Sequence, residues 1–284
     1  MTQNKIHIIA GPTASGKSAR AIELATAANG VILNADATQC YADLQILSAR
    51  PSAEELAQAD HRLYGIWSGD KVASVGDWLS MLKPEIEQCW TENKLPIVCG
   101  GTGFYLKALM EGLSPIPDIA PEIRAEITRE TESDGNSSIY EKLSRVDPKV
   151  VKNIPPANTQ RMIRAYEVYL GTGKPMSEWQ AMPKEPPFPQ ATFELDIIEL
   201  PRKELYERCD TRFESMLAAG ALDEVKGLLA KKYAPDVPVM KAVGVAELAS
   251  HLAGELSIEE AGALSKQNTR HYAKRQLTWL RNQF

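Results

Sequence analysis

The chain predicts an α/β fold: a P-loop type parallel sheet core flanked by helices, with an all-helical insertion. Three observations carry this. Residues 11–18, Gly-Pro-Thr-Ala-Ser-Gly-Lys-Ser, fit the phosphate-cradling pattern G-x-x-x-x-G-K-[ST] between an apolar run and a helix-like stretch. Strand and helix patterns alternate up to about residue 111. Beyond residue 112 strand patterns disappear, and one returns only at 193–200.

Ile6–Ala10 reads as a short buried strand and Ser18–Ala28 as the helix after the loop. Val31–Leu33 is a second strand, ending at Asn34-Ala35-Asp36, and Arg62–Trp67 a possible third. Trp78–Trp90 has helical apolar spacing through Leu79, Leu82, Ile86 and Cys89. Leu95–Cys99 is another buried strand, running into Gly100-Gly101-Thr102-Gly103 and a helix over Phe104–Met110. Continuous apolar strands alternating with helices imply a parallel sheet covered on both faces. Ligands of such sheets sit beyond the carboxyl ends of the strands, so Asp36 and the Gly100–Gly103 turn are expected at the same crevice as the loop.

Leu113–Pro117 is a breaker cluster, and the segment from about 121 to 180 reads as helices. Ile163, Tyr166, Glu167 and Leu170 trace one helical face, with Gly171-Thr172-Gly173 as the stop. A proline-rich link, Met182–Pro189, leads to strand-like Phe193–Leu200 and then to helices. Ser257-Ile258-Glu259-Glu260 is a capping box opening a long last helix. The expected division is 1–111, first part of the core; 112–190, helical insertion; and 191–284, second part of the core with a basic terminal helix.

The 284 residues are 44% hydrophobic and 24% charged, which supports a sizeable core. A net charge of −5 argues against non-specific polyanion binding, so any nucleic-acid site must be a local basic patch. Cys40, Cys89, Cys99 and Cys209 lack zinc-ligand or C-x-x-C spacing. Scattered cysteines, no membrane-length apolar run and no leader before the first strand lead to the expectation of a cytoplasmic protein.

The loop predicts a diphosphate or polyphosphate ligand. Its glycines let the backbone approach phosphate, its N–H groups gather at a helix N-terminus, Lys17 adds charge, and the Ser18 hydroxyl suits Mg²⁺. Asp36 could ligate metal, accept a proton or cap a helix, and Thr38 and Gln39 could read a polar substrate edge. Gln160 and Arg164 share a helix face, with Arg161 adjacent. Arg212, if it faces the loop, would clamp a diphosphate bidentately. Lys266, Arg270, Lys274 and Arg281 fall within about 80° on a helical wheel, with no acidic residue in the segment, which suits an RNA backbone or simply a solvated face.

Together these segments resemble the tRNA dimethylallyltransferases, also called tRNA adenine isopentenyltransferases or IPP transferases. The resemblance lies in the loop at 11–18, Asp36-Ala37-Thr38-Gln39, Gly100–Tyr105, Pro156–Arg161 with Arg164-Ala165, Arg212-Phe213 with Gly220 and Glu224-Val225, and Thr269–Gln276. Ala37 and Thr38 stand where the family has Ser-Met, Asn158 where it usually has Asp, and Val245 where an aromatic is common. The resemblance implies transfer of a dimethylallyl group from dimethylallyl diphosphate to the exocyclic amine of the adenine 3′-adjacent to the anticodon. It implies Mg²⁺ as cofactor, with Ser18 as its ligand, and Asp36, Ser18 and Arg212 as catalytic residues. Gly11, Pro12, Thr13, Ala14, Ser15, Gly16, Lys17, Ser18 and Arg212 would bind the donor diphosphate. Asp36, Ala37, Thr38, Gln39, Thr102, Arg124, Gln160, Arg161, Arg164, Arg270 and Lys274 would meet the tRNA anticodon stem-loop. The expected enzyme is a monomer with no membrane association. A P-loop small-molecule kinase, an RNA-binding switch driven by a nucleoside triphosphate, and a prenyltransferase acting on free adenine nucleotides are the alternatives.

Overall fold

A computed structural model describes residues 4–284 of the chain. Two compact units emerge, Met1–Met110 with Pro187–Phe284, and Glu111–Pro186.

The first unit is built on a five-stranded, all-parallel sheet in the order β3-β2-β4-β1-β5. The strands are β1 (Lys5–Ala10), β2 (Gly30–Asn34), β3 (Asp60–Arg62), β4 (Leu95–Gly100) and β5 (Thr192–Ile197). Between them run α1 (Lys17–Ala28), α2 (Ala53–Gln58), α3 (Val75–Thr91) and α4 (Gly103–Glu111). β4 is buried along its whole length and β1 from Ile6 on, as the unbroken apolar runs require. Each fully buried Ile or Leu there contributes about 1.5–3 kcal/mol relative to exposure. Ala10 pairs with Gly100 and Asn34 with Cys99, so three adjacent strands end level with one another. The loops that follow β1, β4 and β2 therefore leave the sheet side by side.

Two strand expectations are corrected. The third strand runs Asp60–Arg62, not Arg62–Trp67, because Leu63 (φ 67°) and Gly65 (φ 60°) turn out of the extended conformation. The Leu63 carbonyl instead accepts Asn34 Nδ2, and Gly65 N–H donates to the Gln39 carbonyl. The last strand stops at Ile197, and Ile198 N–H makes the final bond to Ala10.

After β5 come α10 (Arg202–Ala218), α11 (Ala221–Ala230), α12 (Val245–Leu252) and α13 (Ile258–Gln283). The capping box at Ser257 and Glu260 opens α13. Gly262, Ser265, Thr269, Ala273, Gln276 and Leu280 form its buried stripe at three- and four-residue spacing. Leu205 and Cys209 of α10 pack against Ala273 of that stripe.

The second unit is helical: α5 (Pro121–Asp134), α6 (Asn136–Val146), α7 (Pro148–Val151), α8 (Thr159–Thr172) and α9 (Met176–Ala181). Ile127, Ile139, Leu143, Val150, Met162, Ile163 and Val168 form its core. Asn158 caps α8 by accepting Arg161 N–H at 3.2 Å, so asparagine serves here as well as an aspartate would. Buried Asp147 caps α7 through Val150 N–H and also accepts Ser177 N–H. Leu170 does not belong to the packed face. It lies in the last turn of α8, uncovered and 48% exposed. The unit also ends at Pro186 rather than residue 190, because Phe188 is buried edge-on against Trp90 of α3 and so belongs with the sheet.

Candidate active site

The loop between β1 and α1 carries two left-handed residues, Ala14 (φ 63°) and Gly16 (φ 92°). Ala14 is strained there, and such strain concentrates at functional sites. Gly16 precedes α1 and has no side chain to cap it, so the first helix amides, from Lys17 onward, are left for an anion. Not every loop group points outward. Ser15 N–H donates to the Pro12 carbonyl at 3.2 Å, and Thr13 N–H donates to Gln276 Oε1 at 2.8 Å. The Ser15 hydroxyl is buried with no hydrogen-bond partner among the described residues, and a Cβ on Gly11 would fall 2.6 Å from it. Ser15 and Thr13 therefore shape the loop through those bonds, whereas Ser18 is exposed at the start of α1.

Lys17 is 8% exposed. Burial pulls its ammonium below the ordinary lysine value, Asp36 pushes it back up, and Arg212 pulls it down again. Burial also pulls Arg212 down, with Cys209 and Asp36 opposing. Lys17, Arg212 and Asp36 thus share one electrostatic neighbourhood, two cations against one carboxylate. An anionic ligand would relieve that imbalance. Arg212 lies on α10, and its Nη2 donates to Thr13 Oγ1, which holds the guanidinium against the loop. One helical turn earlier, Arg208 Nη1 lies 3.6 Å from where a Cβ on Gly16 would sit. The sequence reading missed Arg208, although its i−4 spacing from Arg212 was the available signal.

Asp36 is 6% exposed, just past the end of β2. Its Oδ1 accepts Thr38 N–H at 3.2 Å and Thr38 Oγ1–H at 2.6 Å. It is therefore a turn cap as well as a crevice carboxylate. Its backbone is gripped by Asn34, fully buried, whose Oδ1 accepts Asp36 N–H at 2.9 Å and whose Nδ2 donates to the Asp36 carbonyl at 3.0 Å. Ala37 N–H donates to Thr102 Oγ1, and Thr102 N–H to the Ala35 carbonyl, which ties this turn to the one after β4. Gln39 is buried, with Nε2 donating to the carbonyls of Ser48 and Ala49, so its amide nitrogen is already engaged. Electrostatics from Asp36 also reach Tyr64 and Tyr272, whose phenols burial pushes well up.

The basic stripe of α13 needs correcting. Acidic partners reach it from α10 and from the loop after β5: Lys266 pairs with Glu214, Arg270 with Asp210 at 2.6 Å, and Arg281 with Glu199 at 2.7 Å. Lys274 and Arg275 remain exposed on this helix, the latter's guanidinium 5.8 Å from the Tyr272 ring. In the helical unit Gln160 and Arg161 are exposed, and Arg124 and Arg164 both pair with Glu167.

Residues 39–283 match the IPP transferase family. The chain is 47% identical over 276 residues to the tRNA dimethylallyltransferase of Rhodospirillum rubrum, covering 97% of this chain and 85% of that protein. It is 46% identical to that of Methylobacterium nodulans, covering 97% and 91%. The chain belongs to the IPP transferase family. The structure of the full-length tRNA isopentenylpyrophosphate transferase of Bacillus halodurans superposes with a TM-score of 0.69 at 32% identity, covering 99% of this chain and 88% of that one. A eukaryotic dimethylallyltransferase acting on tRNA gives 0.80 at 28% identity, covering 98% and 70%. The α/β architecture read from the sequence is thus that of known IPP transferases.

Gln276 is the other residue the sequence reading left out of the site. In the sequence it only closes the Thr269–Gln276 segment, yet its amide joins the phosphate loop to the Gly101 carbonyl. Among the described residues no group of three or more His, Cys, Asp or Glu side chains could hold a metal, and no helix is long and apolar enough to cross a membrane.

Proposed function

We propose that this IPP transferase moves a dimethylallyl group from dimethylallyl diphosphate to the exocyclic amine of the adenine 3′-adjacent to the anticodon of tRNA. The observation that supports this best is the placement of Lys17 at the start of α1, of Arg212 on Thr13 in the loop after β1, and of Asp36 just past β2, within one electrostatic neighbourhood. In the reaction the allylic C–O bond breaks, diphosphate leaves, and a bond forms from the adenine nitrogen to the allylic carbon. Charge grows on the departing diphosphate. Lys17, Arg212 and the first amides of α1 are the groups that stabilise it. Thr13 holds Arg212 in place.

Mg²⁺ fits this site as an ion shared between protein and substrate. Ser18 offers one exposed hydroxyl, and diphosphate oxygens and water would fill the other positions, the usual manner of Mg²⁺ binding. When bound it neutralises diphosphate charge. Asp36 orients the attacking amine and takes its proton. An adenine amine is barely basic, so orientation counts as much as proton removal. The target base must be extruded from its stack to reach the crevice. Ala37, Thr38, Gln39, Thr102, Arg124, Gln160, Arg161, Arg164, Arg270 and Lys274 are the residues we assign to RNA contact. We take the enzyme to work as a cytoplasmic monomer.

The test is incubation with radiolabelled dimethylallyl diphosphate, Mg²⁺ and an adenine-containing anticodon stem-loop, with AMP and ATP in parallel reactions. Label in the stem-loop is expected. Label in AMP, or phosphoryl transfer from ATP, defeats the proposal. Asp36→Ala should lower turnover strongly while donor affinity is largely kept, and Arg212→Ala should chiefly weaken the donor.

A further inference from the structure

Glu167 is a carboxylate with no expected task. It lies on α8 in the core of the helical unit, 4% exposed. Its Oε1 is 3.0 Å from Arg164 Nη1 on the same helix, and its Oε2 is 3.6 Å from Arg124 Nη1 on α5. Oε2 is buried and has no hydrogen-bond partner among the described residues. Both arginines are about half exposed, at 45% and 40% of their side chains. One buried anion therefore sits beneath two outward guanidiniums from different helices.

A buried carboxylate costs stability unless it is paired and hydrogen-bonded. An apolar residue would serve the core better at this position, since Met162, Ile163, Ala165 and Val168 are its buried neighbours on α8. The carboxylate is explained by what it does for the arginines. Each guanidinium meets Glu167 through Nη1 while its side chain stays 40–45% exposed, so much of its five-donor fork faces outward. An unanchored arginine must surrender rotamer freedom when it grips phosphate, whereas an anchored one has already done so.

We propose that Glu167 is a positioning residue that pre-aims Arg124 and Arg164 at the RNA substrate. This rests on the assignment of those arginines to RNA contact. Two effects oppose each other. The buried negative charge weakens the positive potential seen by RNA, and the anchoring lowers the ordering cost. At half-exposed arginines the Coulomb effect is softened by water and salt, so the anchoring dominates.

The experiment compares Glu167→Gln, which keeps the shape and removes the charge, with the parent enzyme in steady-state assays on the anticodon stem-loop. The expected result is an RNA KM raised about 5–10-fold, from ordering two rotamer-rich side chains, with kcat and donor KM changed less than about 2-fold. In a background carrying both Arg124→Ala and Arg164→Ala, adding Glu167→Gln should change RNA KM by less than about 2-fold, because the effect passes through the arginines. An RNA KM that is unchanged or lowered in Glu167→Gln overturns the proposal, as does a rise that persists in the double-alanine background. If Arg124→Ala and Arg164→Ala leave RNA KM untouched, the assignment of the arginines fails and the proposal with it. If they raise KM and Glu167→Gln does not, the proposal alone fails. Should Glu167→Gln not fold, Glu167→Asp carries the same test. It keeps the charge but withdraws it by one methylene, and a rise of about 2–4-fold in RNA KM is then expected.

Discussion

The side chain of Gln276 accepts the backbone N–H of Thr13 at 2.8 Å, and its Nε2 donates to the Gly101 carbonyl at 2.9 Å. One amide on the terminal helix thereby clamps two loops that leave adjacent strands. A Cβ on Gly101 would run into Gln276 Nε2 and could be housed only by displacing the side chain that makes the clamp. Gln276 is 7% exposed, so its removal strands a donor and an acceptor away from water. Gln276→Ala should cost about 2–4 kcal/mol, at roughly 1–2 per orphaned group. It should also loosen Thr13 and with it Arg212, raising donor KM more than RNA KM. Gln276→Glu keeps an acceptor for Thr13 but faces the Gly101 carbonyl with a second oxygen, and should be no better than alanine. Urea melts and paired KM measurements decide this; a donor KM unchanged in Gln276→Ala would show that the clamp does not reach the diphosphate site.

Asn34 does for Asp36 what Gln276 does for the loop. It fixes both the N–H and the carbonyl of Asp36 and also donates to Leu63, while its own carbonyl accepts Trp78 Nε1–H at 2.8 Å. Asn34→Ala should therefore displace the Asp36 carboxylate without touching the loop cations. A displacement of even about 1 Å costs on the order of 100-fold in rate. The expected signature is a kcat lowered by roughly 10–100-fold with donor affinity retained. Equilibrium binding of a non-reactive donor analogue separates the two readouts, and equal losses in both would assign Asn34 to general stability instead.

The centre of the sheet was legible because β1, β2 and β4 are short, mostly apolar runs, and the phosphate loop because its pattern sits between a strand and a helix. Lys17 and Asp36 stand out in the sequence because they fall where a strand gives way to a loop or helix, whereas Arg212 lies mid-helix and only the fold brings it to Thr13. What stayed hidden was pairing across long sequence separations. The stripe on α13 looked basic because Glu199, Asp210 and Glu214 lie far earlier in the chain, and only folding brings them beside Arg281, Arg270 and Lys266. Gln276 and Asn34 are neutral amides, which composition and charge patterns pass over, and their importance lies wholly in which backbone groups they meet. Aromatic and apolar residues at 63–67 suit a strand by pattern, but Leu63 takes a positive φ and its carbonyl turns to a tertiary bond with Asn34 that the pattern does not carry.

Glu224 gives a stability prediction away from the chemistry. Its Oε1 accepts the N–H groups of Gln45 and Ile46 at 2.6 and 2.7 Å, and its Oε2 accepts that of Leu47 at 2.9 Å. A carboxylate with three amide donors is a strong anchor for an otherwise irregular segment. Glu224→Gln loses the charge and turns one donor against another. It should cost about 1.5–3 kcal/mol, visible as a lower urea midpoint with unchanged slope. The segment it anchors supplies the Ser48 and Ala49 carbonyls that hold Gln39, so RNA KM should also rise. A variant as stable as the parent would mean that water replaces the carboxylate without loss.

The buried thiols predict alkaline behaviour. Burial pushes Cys40 up to about 12, and Cys89 and Cys99 up to about 11, from an ordinary value of 9.0. All three side chains are at most 3% exposed. Above pH 9 the unfolded chain loses thiol protons that the native chain keeps, so the unfolded state binds fewer protons and stability falls as pH rises. Their contribution is fully present below pH 9 and is lost progressively up to about pH 11–12, at no more than about 1.4 kcal/mol per pH unit for each thiol. Tyr105 and Tyr272, also pushed up by desolvation, act in the same sense above their ordinary value, whereas Lys17, pulled down, acts oppositely as a single group. The urea midpoint should therefore be level from pH 7 to 8.5 and drop steadily above pH 9. Over the level range the thiols should resist alkylation in the native protein, since the reactive thiolate is scarce and shielded, and all four should react once the chain is unfolded. Rapid modification of Cys99 at pH 8 without loss of structure would show that this core opens locally, next to Lys17.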